Sequence, residues 1–205
     1  MGMCIEKTSF HFLGEFHFSV MFCCFTSDQE CAAFSPTSCD ALLTLVRTLI
    51  VNKVDYCNSV LACMSRHLHD RLQSVLNAAA RVVFSARRNN HITPLLRDLH
   101  WLRVPERVKF RLCVLVYRCL HGMAPSYLAD DLQLTSTVGT RRQLRSADSP
   151  TLVVRSTRRS TLGDRAFPVA AACAWNSLPP AVRDAPSLLS FRSRLKTWLF
   201  ELTLA

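Results

Sequence analysis

His100-Trp101-Leu102-Arg103-Val104-Pro105-Glu106-Arg107, opening onto Val108-Lys109-Phe110-Arg111-Leu112-Cys113-Val114-Leu115-Val116-Tyr117-Arg118-Cys119-Leu120-His121-Gly122, is the stretch on which the fold turns. It reads as a punctuated helix. Pro105 suits the first helical position, where a missing N–H costs nothing. Glu106 lies in the first turn, where the positive end of the helix favours a carboxylate. Gly122 follows the last turn, where a left-handed cap is expected. Val108, Leu112, Leu115, Val116 and Cys119 recur at three- and four-residue steps and define one buried face. Arg107, Lys109, Arg111 and Arg118 are left to the other faces.

Further helices are expected on either side. Ser38 or Asp40 is placed to cap a helix over 41–51, and a second helical stretch covers 56–64. Leu68, Leu72, Val75, Leu76, Ala79 and Val83 repeat at helical spacing within 66–86, with Arg71, Arg81, Arg87 and Arg88 along that helix and at its end. Thr93-Pro94 starts a short helix ending near His100, and Pro125 starts another reaching about Leu132. Residues 133–163 are rich in Ser, Thr and Arg and poor in large apolar groups. There, Thr151-Leu152-Val153-Val154 is the strand-like run, with the pattern of half a hairpin. The return to helix comes at Gly163-Asp164, with an apolar segment over 167–177 that holds Trp175 and carries Pro168 in its first turn. Ser187 then caps a last helix. It sets Leu188, Phe191, Leu195, Trp198, Leu199 and Leu202 on one face, with Arg192, Arg194 and Lys196 off it. The fold class implied is mainly α. A small helical bundle spans 39–132, a basic linker or hairpin spans 133–163, and C-terminal helices span 164–205. Residues 1–38 form a leader expected to be poorly ordered.

The chain has 205 residues, 49% of them hydrophobic, enough for one domain with a core or for two small ones. Its formal net charge is +10. Residues 1–40 carry Lys7 against Glu6, Glu15, Asp28, Glu30 and Asp40, so the basic excess lies in the remainder. A body of that sign points to a polyanionic partner, RNA or DNA. Ten cysteines show no C-x-x-C pair. Cys57, Cys63, Cys113, Cys119 and Cys173 fall in apolar helical patterns, where cysteine acts as a small hydrophobe. Cys23, Cys24, Cys31 and Cys39, with His11 and His17 upstream, do not match zinc-ligand spacing. No metal or cofactor is expected, and the cysteine usage fits an intracellular setting, nuclear or cytoplasmic. The apolar run 10–25 is broken by His11, Glu15 and His17 and is too short to span a bilayer. Its Phe10, Phe12, Phe16, Phe18, Val20 and Phe22 alternate as in a strand. It lacks a basic start and a clean cleavage site, and Glu6 stands where a myristoylation signal wants Ser or Thr. No membrane association is expected.

Several residues invite a catalytic reading. Tyr127-Leu128-Ala129-Asp130-Asp131 has the look of a polymerase Mg²⁺ box, an aromatic followed by Ala-Asp-Asp. Leu128 stands between the aromatic and the Ala, the context reads as a short helix rather than a hairpin, and a third Asp on a strand is missing. A solvated helix end accounts for the pair better. His67, His69, His100 and His121 read as capping or surface histidines, because no orienting group or oxyanion site accompanies them. The binding signal lies in Arg141, Arg142, Arg145, Arg155, Arg158, Arg159 and Arg165, opposed only by Asp148 and Asp164. Arginine makes forked contacts to phosphate and stacks on bases, so such a segment grips nucleic acid by charge without reading its sequence. A solvated basic linker is the other reading of the same residues. Trp101, Trp175 and Trp198 read as core anchors, with base stacking the alternative for Trp101.

An ordered set of motifs resembles a known family. Val54-Asp55-Tyr56-Cys57-Asn58-Ser59-Val60-Leu61 resembles the "DYCNSLL" segment of non-LTR (LINE-type) retrotransposon polyproteins of the jockey-like group. Leu72-Gln73-Ser74-Val75-Leu76-Asn77-Ala78-Ala79-Ala80-Arg81 is similar to the helix that follows there. His91-Ile92-Thr93-Pro94-Leu95-Leu96, Leu99-His100-Trp101-Leu102, Tyr117 to Gly122, Gly163 to Phe167, Ala174 to Pro179 and Phe191 to Lys196 continue in order. The similarity runs from about Ala41 to Phe200 and leaves out residues 1–38. It implies the helical thumb and the C-terminal segment behind the reverse transcriptase palm. It also implies a fragment without palm or endonuclease, any Mg²⁺ belonging to the missing palm. Such a piece would not be an enzyme and would bind template–primer RNA or DNA weakly and non-specifically. The chain departs from the family at Cys63-Met64-Ser65, where a Gly-Leu-Pro turn is usual, and at Arg103, where Pro follows "HWL". Two other outcomes fit the same residues. One is a helical module reused by the host, docking a protein partner through exposed apolar helix faces. The other is a gene-prediction product without function.

Overall fold

Helix caps and periodicity carry most of the architecture. The computed structural model describes residues 36–56, 61–137, 151–158 and 160–204. Along the chain α1 is Pro36–Val46, followed by a π-helical turn Arg47–Val51 and α2, Asn52–Asp55. Next come α3 Arg66–Val83, α4 Ile92–Asp98, α5 Val104–Leu120 and α6 Ser126–Ala129. The C-terminal part holds α7 Ser160–Gly163, α8 Phe167–Asn176, α9 Pro180–Arg183 and α10 Leu188–Leu204. The mainly α class is therefore the observed one. The alternating run 10–22 and Cys57 lie outside the described residues.

Two expectations at the N-terminal end fail. The first described helix is Pro36–Val46, so Ser38 and Asp40 lie inside it and neither is its cap. No α-helix fills 56–64 where it is described. Tyr56 turns extended at ψ 126°, and Cys63 takes a left-handed φ of 56° in the turn after Leu61. Between α1 and α2 the Asn52 N–H reaches back five residues to the Arg47 carbonyl. Thr48 Oγ1 bonds the Thr44 and Leu45 carbonyls at 3.0 Å each, the local competition that loosens a helix turn.

The described residues fall into two compact units. The first comprises 36–56 and 70–101. Its buried side chains include Val46, Val51 and Val54, then Leu72, Leu76, Ala79, Ala80 and Val83 along α3, and Leu96 and Trp101. Base stacking on Trp101 is thereby excluded, since it is 4% exposed.

The second unit comprises 61–69, 102–137, 151–158 and 160–204, and its core is assembled on α5. That helix packs against α8 and α10. Tyr117 stacks on Phe191 at 4.6 Å between ring centroids, and Trp175 meets Phe191 at 5.7 Å. The Tyr117 hydroxyl donates to the Ala185 carbonyl at 3.1 Å, which satisfies a polar group in a buried place. Leu102, Val116, Leu152, Ala171, Ala172, Leu178, Val182, Ala185, Leu195 and Leu199 belong to the same cluster. The buried surface of α5 is wider than its apolar periodicity predicts. Cys113 and Tyr117 are buried as well, whereas Leu115 is half-buried. Burial pushes the Cys113 thiol up to about 12, with Lys109 pulling weakly the other way, so the group behaves as a small hydrophobe. Cys119 is buried too, but Cys63 and Cys173 are exposed, against expectation. In α10 the Ser187 hydroxyl accepts from the Ser190 N–H at 3.2 Å, the expected cap, and Phe191, Leu195 and Leu199 face inward. Leu202 does not join them and is 62% exposed, because that face outlasts the core near the helix end.

Helix ends share one device. After α5, Gly122 at φ 67° sends its N–H to Cys119 O, and Met123 N–H reaches Arg118 O at 2.8 Å. This is the paired closure expected for a glycine just past a helix. The same pair of bonds closes α3 around Ser85 (φ 47°) and α4 around His100 (φ 53°), neither of them glycine.

Candidate nucleic-acid interface

Residues 151–158 cross the second unit as a strap without regular structure apart from one bridge. Leu152 pairs with Leu134 in an isolated antiparallel bridge. Thr135 N–H donates to Thr151 O at 2.9 Å and Val153 N–H to Gln133 O at 2.8 Å. The half-hairpin expected at 151–154 is thus reduced to a single pair. In such a pair the N–H and C=O of Leu152 point away from its partner strand. Asn176, the last residue of α8, takes that place. Its Oδ1 accepts from Leu152 N–H at 2.9 Å and its Nδ2 donates to Leu152 O at 2.8 Å. One side-chain amide therefore stands in for a second strand, and the Leu152 side chain drops into the core at 2% exposure.

The other end of the strap is held at the turn after α7. Thr157 Oγ1 donates to Asp164 Oδ1 at 2.7 Å. A Cβ on Gly163 would lie 2.5 Å from Thr157 Cβ, so only glycine lets the strap come this close. Arg165 follows directly, half-buried, with its Nε covered and without a hydrogen-bond partner. Arg165 also lies in electrostatic reach of the Cys63 thiol. That thiol is raised by partial burial first, then by Cys173 and Asp164, and lowered by Arg165.

Between the two clamps the strap presents Arg155, and just past the second clamp Arg158, both exposed. Of the seven arginines expected to bind, Arg155, Arg158 and Arg165 are thus placed on one short stretch and its anchor. Arg141, Arg142, Arg145 and Arg159 lie outside the described residues. Arg165 differs from the other two in being partly enclosed. A guanidinium held beside a backbone turn suits a positioning contact more than a mobile phosphate grip. The residues that set this geometry, Asn176, Gly163 and Thr157, are not legible as a site in the sequence. An Asn at a helix end and a Gly before an Asp read there only as local punctuation.

Other candidates resolve differently. Asp130 and Asp131 are exposed at the end of the short helix α6, where a helix rather than a strand was expected. Among the described residues no three His, Cys, Asp or Glu side chains gather as metal ligands. His69 Nε2 lies 3.0 Å from Leu61 O, and the His121 ring lies against Tyr117 at 4.0 Å. Trp198 is half-buried with Lys109 Nζ above its ring at 4.6 Å. Among the described residues no helix is long and apolar enough to cross a membrane.

Charge is divided unequally between the two units. Residues 57–69 with 102–205 hold 17 Lys and Arg against 7 Asp and Glu, a net of +10, and the rest of the chain balances to zero. No protein-family model, no curated protein and no solved structure matches this chain.

Proposed function

We propose that this chain is a helical nucleic-acid-binding fragment that holds RNA or DNA by charge and carries no catalytic centre of its own. More narrowly, we read it as the post-palm segment of a non-LTR retrotransposon reverse transcriptase, cut away from palm and endonuclease. The observation that carries the reading is the convergence of the four later motifs, 117–122, 163–167, 174–179 and 191–196, on one unit. Tyr117, Trp175, Leu178, Phe191 and Leu195, drawn from three motifs far apart in the chain, supply a single core. The Gly163 motif anchors the basic strap to the same unit. That unit holds the entire net charge, which supports a polyanionic ligand.

The test is a fluorescence anisotropy titration of the full chain with a labelled single-stranded RNA and with a DNA of the same sequence. Binding is expected at low salt, with little preference between sequences. Affinity should fall steeply with added salt, the log–log slope being about −0.7 for each phosphate engaged on a single strand. No binding at low salt, or affinity indifferent to salt, would overturn the proposal.

A host-reused interaction module remains the second reading. Leu45 and Leu49, one helical turn apart on α1 and the turn that follows it, are 55% and 59% exposed. An apolar pair at that spacing suits a partner helix. A partner recovered by affinity capture that survives nuclease treatment would favour it.

A further inference from the structure

The second unit carries another basic surface, on the helix that organises its core. At 3.6 residues per turn, Arg103, Arg107, Arg111, Val114 and Arg118 fall within about 80° of one another around α5 and its N-cap. His121 ends the same stripe just past the helix. Apart from Pro105 in the first turn, Arg111 and Arg118 are the exposed residues of this helix, and Arg103, Arg107 and Val114 are half-exposed. Beyond the first turn, the fully exposed positions of α5 are therefore both arginine. Glu106, the one acidic residue of the helix, borders the stripe about 60° from Arg103.

One member has a local role, since Arg107 Nε donates to the Leu102 carbonyl at 3.0 Å. Arg103 and Arg107 stand at the positive end of the helix dipole, where cations are disfavoured. The spacings 103–107 and 107–111 set like charges one turn apart, which is also unfavourable. Four arginines along about 22 Å of helix, the first three set against these rules, have the form of a track for a regularly charged polymer. Arginine rather than lysine at all four positions suits forked contacts to phosphate.

We infer that the arginine stripe of α5 is a second contact surface for a nucleic-acid strand, its phosphates lying along Arg103, Arg107, Arg111 and Arg118. The inference rests on the proposed nucleic-acid binding and adds a surface outside the 141–165 segment.

The experiment compares the full chain with the double variants R111Q/R118Q and R87Q/R88Q by anisotropy, using a labelled single-stranded RNA over a salt series. Arg87 and Arg88 are exposed arginines beyond α3, so the second pair controls for net charge alone. R111Q/R118Q is expected to weaken low-salt binding on the order of tenfold and to make the salt slope shallower by about 1.4, two phosphate contacts fewer. R87Q/R88Q should leave the slope unchanged. Thermal unfolding of R111Q/R118Q should be unchanged or raised, because a like-charge spacing is relieved. An unchanged slope, or equal losses in the two variants, would overturn the stripe while wild-type binding stands. Displacement of the RNA by anionic phospholipid vesicles or polyglutamate at equal charge would also overturn it. Failure of the wild-type chain to bind RNA at low salt would instead overturn the proposed function itself.

Discussion

A single backbone angle at a few residues separates comfortable helix ends from strained ones. Gly122 adopts φ 67° without penalty, whereas Cys63 and Ser85 hold left-handed angles with a Cβ in place. For L-residues that conformation costs about 1–2 kcal/mol. Glycine removes the strain but adds unfolded-state entropy worth about 0.5–1 kcal/mol. Cys63→Gly and Ser85→Gly are therefore expected to raise stability by about 0.5–1 kcal/mol each, and Gly122→Ala to lower it by about 1 kcal/mol. Urea unfolding of the three variants checks this, and a stabilised Gly122→Ala would refute the account. Cys63 stands where the resembling family has the glycine of its turn, so the departure noted in sequence coincides with a strained angle. Arg103, where that family has proline, sits at φ −66°, an angle proline would share.

Between elements, the strap is the part whose placement depends on individual side chains. Asn176→Leu would remove two hydrogen bonds and strand the N–H and C=O of Leu152 beside a buried side chain. Each unsatisfied group costs about 1–3 kcal/mol, so a loss of about 2–4 kcal/mol is expected. Gly163→Ala should cost about 1–3 kcal/mol by forcing Thr157 away. Both variants should also speed proteolysis at Arg155, between the clamps, and at Arg158, directly beside the second. Limited trypsin digestion with mass mapping reads this directly. Cleavage there at the wild-type rate in both variants would mean that the clamps do not hold the strap.

At the scale of the whole molecule the governing fact is a net charge of +10 gathered in one of two units. Like charges on one compact body repel, and salt screens them over about 10 Å at 0.1 M. The midpoint of thermal unfolding is therefore expected to rise between low and moderate salt. For a chain of this size, about 1 kcal/mol moves it by about 2–4 °C. Inorganic phosphate should raise it further than chloride at equal ionic strength, since an anion bound to the native state adds its own stabilisation. A midpoint that falls with salt would show that attractive pairs outweigh the repulsion.

What the sequence by itself determined is the long helices and several of their ends. Gly122, Pro168 and Ser187 act where they were expected, because caps and first turns depend on groups within about four residues. The basic character of 141–165 was equally plain, since charge needs no fold to be counted. Tertiary structure alone decided which faces were covered. Tyr117 lies off the apolar stripe of α5 and is buried, because α5 is packed on more than one side. Cys173 follows an apolar pattern yet stays exposed. Leu152 finds its partners in Leu134 and Asn176, each well over a dozen residues away. Burial and pairing of that kind follow from which elements meet, and periodicity within one element carries no information about its neighbours.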